Sequence, residues 1–322
     1  MEHEHFSYPE AIRFLAKRYN IEIEETEQTQ EEKEKANSKE SLYLVNQYAQ
    51  ESFEKDLWGY SEGIAIGLSY FKERGFKDET IRFFGLGYAT EMKDHFYRKA
   101  IKAGYSEEYL VGSGLVIKNE RGAIDRFRGR VIFPIRTMAG RVQGFGGRIL
   151  SSTAKTAKYL NSPVSEVYHK SDVLYGIYES KKAIAKEDTC YLVEGYTDVI
   201  QLFQKGIENV VSSSGTALTS EQIRLIRRLT SNIVVLFDGD AAGLRAAIRG
   251  VDLILEQGMN VKICSFPEGE DPDSFAKSHS QEEINNYLKT EAKDFIEFKT
   301  HILLKEANQD PVKKAVTVRE II

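Results

Sequence analysis

Three acidic clusters each stand immediately after a short apolar run: Glu194-Gly195-Tyr196-Thr197-Asp198, Asp238-Gly239-Asp240 and Gly269-Glu270-Asp271-Pro272-Asp273. Carboxylates converging on one place repel one another and raise each other's pKa unless a cation sits among them. Hard oxygen donors in that number suit Mg2+ or Mn2+, which keep part of their water shell and bridge to substrate phosphates. Asp238 and Asp240 can face one pocket because Gly239 between them permits a tight turn. Taken singly each acid is ordinary, since Asp240 would cap a helix starting at Ala241 and Asp198 would sit on a helix surface. Their joint occurrence at three run ends is what a capping role explains poorly.

The elements that must carry these acids follow from periodicity. From Thr189 onward apolar runs at Cys190 to Val193, Asn209 to Val211, Ile233 to Phe237 and Val261 to Phe266 alternate with helical patterns at Asp198 to Gln204, Ser220 to Leu229 and Ala241 to Glu256. That alternation predicts βαβ units and a parallel sheet, whose ligands bind beyond the carboxyl ends of the strands. The second run ends in Ser212-Ser213-Ser214-Gly215-Thr216, small residues that leave room for a phosphate or a close backbone.

Upstream, the apolar runs Val131 to Ile135 and Arg141 to Ile149 read as antiparallel strands, and helical patterns cover Lys39 to Lys55, Ser61 to Glu73 and Asp78 to Phe84. Ser7-Tyr8-Pro9-Glu10 reads as a helix start, and Glu22 to Lys35, with seven Glu, reads as a tether. Beyond Phe275 the pattern is charged and helical. The 322 residues carry a net charge of −5, yet Arg121 to Lys170 hold seven Arg and three Lys against two acids. Binding of a polyanion by so acidic a chain must be confined to that stretch. Cys190 and Cys264 lie in apolar runs without neighbouring ligands, which argues against a disulfide framework or a zinc site here and fits a reducing cytoplasm. No apolar run reaches the roughly eighteen residues of a membrane span.

The three acidic motifs resemble the TOPRIM domain of bacterial DnaG-type primases. Arg126-Phe127-Arg128-Gly129-Arg130-Val131-Ile132-Phe133-Pro134-Ile135, Gly144-Phe145-Gly146-Gly147-Arg148, Lys158-Tyr159-Leu160-Asn161-Ser162-Pro163, His169-Lys170 and Leu174-Tyr175-Gly176 resemble the basic N-terminal half of the same catalytic core. The resemblance runs from about Leu42 to Ile322. It departs at Gly85-Leu86-Gly87-Tyr88-Ala89-Thr90, where the family motif usually ends in proline, and Arg82 matches the family's preceding basic residue only with an offset of one, so Arg82 is left outside the site.

The resemblance implies an α/β fold: a TOPRIM parallel, Rossmann-like sheet at 185–276, flanked by a basic mixed α+β subdomain at 41–184 and a helical subdomain at 277–322. Residues 1–40 would be the last helix of a zinc module plus its acidic linker. The implied activity is DNA-templated synthesis of short RNA primers from NTPs by metal-dependent nucleotidyl transfer. Glu194, Asp238 and Asp240 would be catalytic, and the same three with Asp198, Asp271 and Asp273 would hold Mg2+ or Mn2+. Lys158, Asn161 and Lys170 would bind nucleotide. Arg126, Arg128, Arg130 and Arg148 would line the template or RNA–DNA heteroduplex, unless the first three simply alternate on a solvated strand face. Core packing is expected for Phe145 and Tyr159, and surface or structural roles for His95, His169, His279 and His301. Zinc would belong only to an N-terminal module missing from this sequence, and the replicative helicase would bind through a C-terminal domain also missing. Two competing readings are a DxD-type phosphohydrolase with Asp238 as nucleophile, disfavoured by Ala241 after the pair and its late position, and a non-catalytic TOPRIM nucleic-acid-binding module.

Overall fold

In a computed structural model the described residues are 19, 30–150, 157–215, 217–237, 250–267, 269–295 and 297. The helix expected from Ser7, most of the tether, Asp238, Asp240, the start of the Ala241 helix and residues 298–322 lie outside them. The chain divides into two compact units, residues 1–40 and 41–322. Of the first, Tyr19 and residues 30–40 are described.

Helix α1 spans Gln30–Gly59. The tether pattern therefore gives way to helix five residues before Lys35, where Gln, Glu, Lys and Ala are strong helix formers and Glu31 and Lys35 sit at i, i+4. In unit 41–322, α1 buries Leu42, Val45, Ala49, Phe53 and Leu57, a stripe with the three-and-four spacing of a helix packed on one face. The helical pattern over Ser61 to Glu73 is a helical stretch whose regularity is broken by a π-helical segment, Gly63–Leu68, ahead of α2, Ser69–Glu73. Gly63 explains the break: a Cβ there would fall 1.9 Å from the Asp56 carbonyl oxygen. Helix α3 covers Asp78–Phe83.

The basic half is built on a four-stranded antiparallel sheet: β1 (Gly87–Ala89), β4 (Arg130–Arg136), β5 (Val142–Ile149) and β6 (Tyr159–Asn161), in that order. A hairpin of β2 (Val116–Asn119) and β3 (Gly122–Asp125) and helices α4 (His95–Lys102) and α5 (Glu107–Gly112) complete it.

Helix α6 (Ile177–Glu187) leads into the second sheet. Strands β7 (Cys190–Val193), β8 (Val210–Ser212), β9 (Asn232–Phe237) and β10 (Asn260–Ser265) are parallel in the order 10-9-7-8, joined by α7 (Tyr196–Gln204), α8 (Ser220–Arg227) and a helix of which 250–256 are described. All four strands lie where the apolar runs predict them. After α9 (Pro272–Ser278) and α10 (Gln281–Glu291), a two-residue strand β11 (Lys293–Asp294) adds antiparallel to β10. This edge strand is absent from the sequence expectation because two charged residues carry no strand signal.

One apolar core runs through both sheets. Phe133 of β4 stacks on Tyr196 at the start of α7, centroids 5.0 Å apart, and Tyr175 meets Tyr196 edge-on at 4.8 Å. Burial pushes both cysteine thiols up, that of Cys264 to about 12, so they stay neutral and inert in the core.

Candidate active site

The four parallel strands end on one edge. Leu192 is in register with Val235, Val193 with Ser212, and Ser265 with Phe237. Glu194, the turn after Ser212, the end of β9 at Phe237 and the end of β10 that leads to Asp271 therefore stand side by side. Asp238 and Asp240 begin the segment outside the described residues, directly after Phe237. Glu194 is exposed, and among the described residues nothing hydrogen-bonds or ion-pairs with its carboxylate.

The remaining acids have prior engagements. Asp198 Oδ2 accepts the Gly195 N–H at 2.9 Å. Asp271 caps α9, with Oδ1 accepting from Ser274 N at 2.7 Å. Asp273 is 5% exposed, and its Oδ2 takes both Arg74 Nη1 and Lys277 Nζ at 2.7 Å. Two carboxylate oxygens of this segment, Glu270 Oε2 and Asp273 Oδ1, are buried with no hydrogen-bond partner among the described residues. Unpaired buried acceptors are costly, and carboxylate oxygens are the donors that a hard cation takes. No group of three ligating side chains close enough to hold a metal occurs among the described residues, so a complete shell would draw on Asp238 and Asp240.

The basic residues divide. Arg126 and Arg128 lie in the turn between β3 and β4, not on alternate strand positions, because Gly129 with φ +66° closes a turn there and the strand starts at Arg130. Arg128 is exposed; Arg126 is half-buried. Arg130 corrects the expectation of a template contact. It is 5% exposed, and its guanidinium donates to the Ala157 carbonyl at 3.2 Å and the Lys158 carbonyl at 3.3 Å. Arg130 thus braces the strand that presents Lys158. Replacing it by Met should lower the melting temperature, by about 1.5–3 kcal/mol of stability for the charge-assisted hydrogen bonds of the buried guanidinium that are lost, and leave the salt dependence of DNA binding unchanged; a flattened salt slope with normal stability would contradict this.

Lys158 is exposed. Lys170, in a 3-10 turn at Lys170–Asp172, is half-buried, and that burial draws its pKa below the ordinary lysine value. Asn161 Oδ1 accepts the Tyr196 hydroxyl at 2.7 Å, which ties β6 to the residue two beyond Glu194. Gly146 makes that contact possible, since a Cβ there would stand 2.5 Å from the Tyr196 ring.

Arg148 reaches the Tyr70 hydroxyl and lies over the Tyr70 and Tyr159 rings, 4.9 and 5.7 Å from their centroids. Phe145 is buried as expected, but Tyr159, on the sheet's edge strand β6, is 41% exposed. Tyr70, Arg74 and Lys277 are site neighbours that sequence reasoning missed; none sits in a motif. His95 pairs with Asp56 at 3.2 Å, a structural role as expected.

A parallel sheet with acidic residues beyond its strand ends, sharing an apolar core with a separate basic antiparallel sheet, is the arrangement expected of the TOPRIM class. Residues 53–181 match the family model "DNA primase catalytic core, N-terminal domain", and 191–276 match "Toprim-like". A DNA primase domain from Pseudomonas aeruginosa superposes with a TM-score of 0.77 at 36% identity, covering 86% of this chain and 87% of that one. A DnaG primase catalytic domain bound to ssDNA gives 0.75 at 33%, covering 88% and 91%. The chain belongs to the DnaG-type primase family, within its catalytic core. A curated DNA primase from Clostridium acetobutylicum is 36% identical across 100% of this chain, which spans 53% of that relative. Among the described residues no helix is long and apolar enough to cross a membrane.

Proposed function

We propose that this chain synthesises RNA on a single-stranded DNA template, a 3′-hydroxyl displacing pyrophosphate from the incoming NTP. The observation that carries the reading is the Tyr196–Asn161 hydrogen bond, because it ties β6, with Lys158 directly before it, to the edge that bears Glu194. The catalytic domain bound to single-stranded DNA supports the choice of template. Family membership implies a divalent cation; Mg2+ or Mn2+ would be held by Glu194, Asp238 and Asp240, with Glu270 and Asp273 behind them. Such an ion supplies neutralisation of charge at the attacking and leaving oxygens. Lys158 and Lys170 take the triphosphate, Asn161 offers its amide N–H to the nucleotide, and Arg128, Arg126 and Arg148 take the template or heteroduplex backbone. Asp198 and Asp271 contribute by holding the turns that present the acids. The working division remains 41–184, 185–276 and 277–322, and the buried thiols suit the cytoplasm.

With single-stranded template, NTPs and Mg2+ or Mn2+, the chain should release pyrophosphate. Orthophosphate release independent of template would instead favour the phosphohydrolase reading. Mg2+ or Mn2+ should also raise the melting temperature, since an ion bound only by the folded state stabilises by about 2.7 kcal/mol at a hundred times its Kd. Asp238→Asn should abolish that rise, and a rise that survives it would place the ion elsewhere.

A further inference from the structure

We propose that the turn Ser212-Ser213-Ser214-Gly215 is a positioning device for Glu194. It grips the Glu194 carbonyl while Asp198 grips the next N–H, so one peptide plane is fixed at both ends. The sequence expectation for this turn is room for a phosphate or a close backbone, and its donors point inward to the chain's own backbone. Ser212, 0% exposed at the end of β8, donates its hydroxyl to the Glu194 carbonyl at 2.6 Å. The Gly215 N–H donates to the same oxygen at 3.1 Å, and the Ser213 N–H reaches the Val193 carbonyl at 3.4 Å. The Ser214 N–H donates to Ser212 Oγ at 2.8 Å, completing a chain from backbone to hydroxyl to carbonyl whose members polarise one another. On the far side of the same peptide, Asp198 Oδ2 takes the Gly195 N–H at 2.9 Å.

Backbone strain marks the same place. Ser214 has φ +61° and Gly215 φ +70°; for a residue with a side chain that is a sparsely populated, costly conformation, held only when its surroundings impose it. The turn must bend this way to present two donors to one carbonyl. Glu194 needs such a grip because its carboxylate has no hydrogen-bond or ion-pair partner among the described residues, so the Cα–Cβ direction fixed by this peptide is what aims the side chain at the edge. Asp198 thereby acts as a positioning residue through Oδ2.

The inference rests on the reading of Glu194 as a metal-bearing acid of nucleotidyl transfer, and the test separates the two. Ser212→Ala removes the hydroxyl. Ser180→Ala is the matched control: Ser180 is also 0% exposed and donates to the Val210 carbonyl of the same strand at 2.7 Å, away from the edge. Both should lose similar thermal stability. Only Ser212→Ala should lower kcat for RNA synthesis, by about tenfold at unchanged NTP KM, and raise the Mn2+ concentration for half-maximal thermal stabilisation by a similar factor; Ser212→Thr, which keeps the hydroxyl, should restore both. A Ser212→Ala chain with normal kcat and Mn2+ midpoint, or a Ser180→Ala chain that loses as much, would overturn the positioning role. If the unmodified chain made no RNA, the activity reading would fall, while the Mn2+ midpoints would still decide the role of Ser212.

Discussion

Glu194→Gln should lower RNA synthesis at least about a hundredfold, the upper end of what even outer-shell metal partners cost, with no loss of melting temperature. A hundredfold is roughly 2.7 kcal/mol of transition-state stabilisation. Folding should be untouched because the carboxylate is exposed and makes no contact among the described residues, so an isosteric amide takes nothing from the folded state. Asp238→Asn and Asp240→Asn should lose as much activity for the same reason, that an amide is a poor ligand for a hard cation. Asp273→Asn should behave differently. Its carboxylate is buried between Arg74 and Lys277, and removing one member of a buried ion pair costs about 3–5 kcal/mol, so stability should fall together with activity. Near-normal synthesis by folded Asp238→Asn would remove the metal site from the account.

Lys170→Ala should raise the NTP KM by tenfold or more, about 1.5–3 kcal/mol for one charge-assisted contact. Lys170 is half-desolvated with its pKa drawn down, and it has no anionic partner among the described residues. A phosphate would supply the missing counter-charge. Lys158→Ala should act in the same sense, less strongly because Lys158 is exposed and keeps its hydration. Neither should change the salt dependence of template binding by more than one contact. Arg128→Ala should do the reverse, flattening a log-log slope of about −0.7 per phosphate by one contact while leaving the NTP KM near its original value. Titration of both ligands against these variants measures the division. Equal effects on template and NTP from all three would mean that the basic region has no separate faces.

The parallel half of the fold was legible because its signals are local. Four apolar runs bounded by turns and separated by helical periods coincide with β7 to β10 within a residue or so. What sequence could not show depends on partners far away in the chain. Asp273 reads as a ligand in isolation, yet Arg74, 199 residues earlier, occupies one of its oxygens. Arg130 looks like its neighbours Arg126 and Arg128, but a glycine turn places it alone inside the sheet, where backbone carbonyls of β6's approach satisfy it. Tyr159 is apolar enough for a core and is exposed because of where the sheet ends. The Ser212 turn had the right composition for a close backbone approach, and the approaching backbone is the chain's own.

Incubation of this chain with an oligo(dT) template, an annealed oligo(A) primer, all four NTPs and Mg2+ or Mn2+ tests the central claim most directly. The account predicts alkali-labile products that grow by incorporation of AMP alone, depend on the template and vanish in Glu194→Gln. Extension without template, incorporation of all four nucleotides alike, or no RNA from a chain shown to be folded and metal-bound would contradict it.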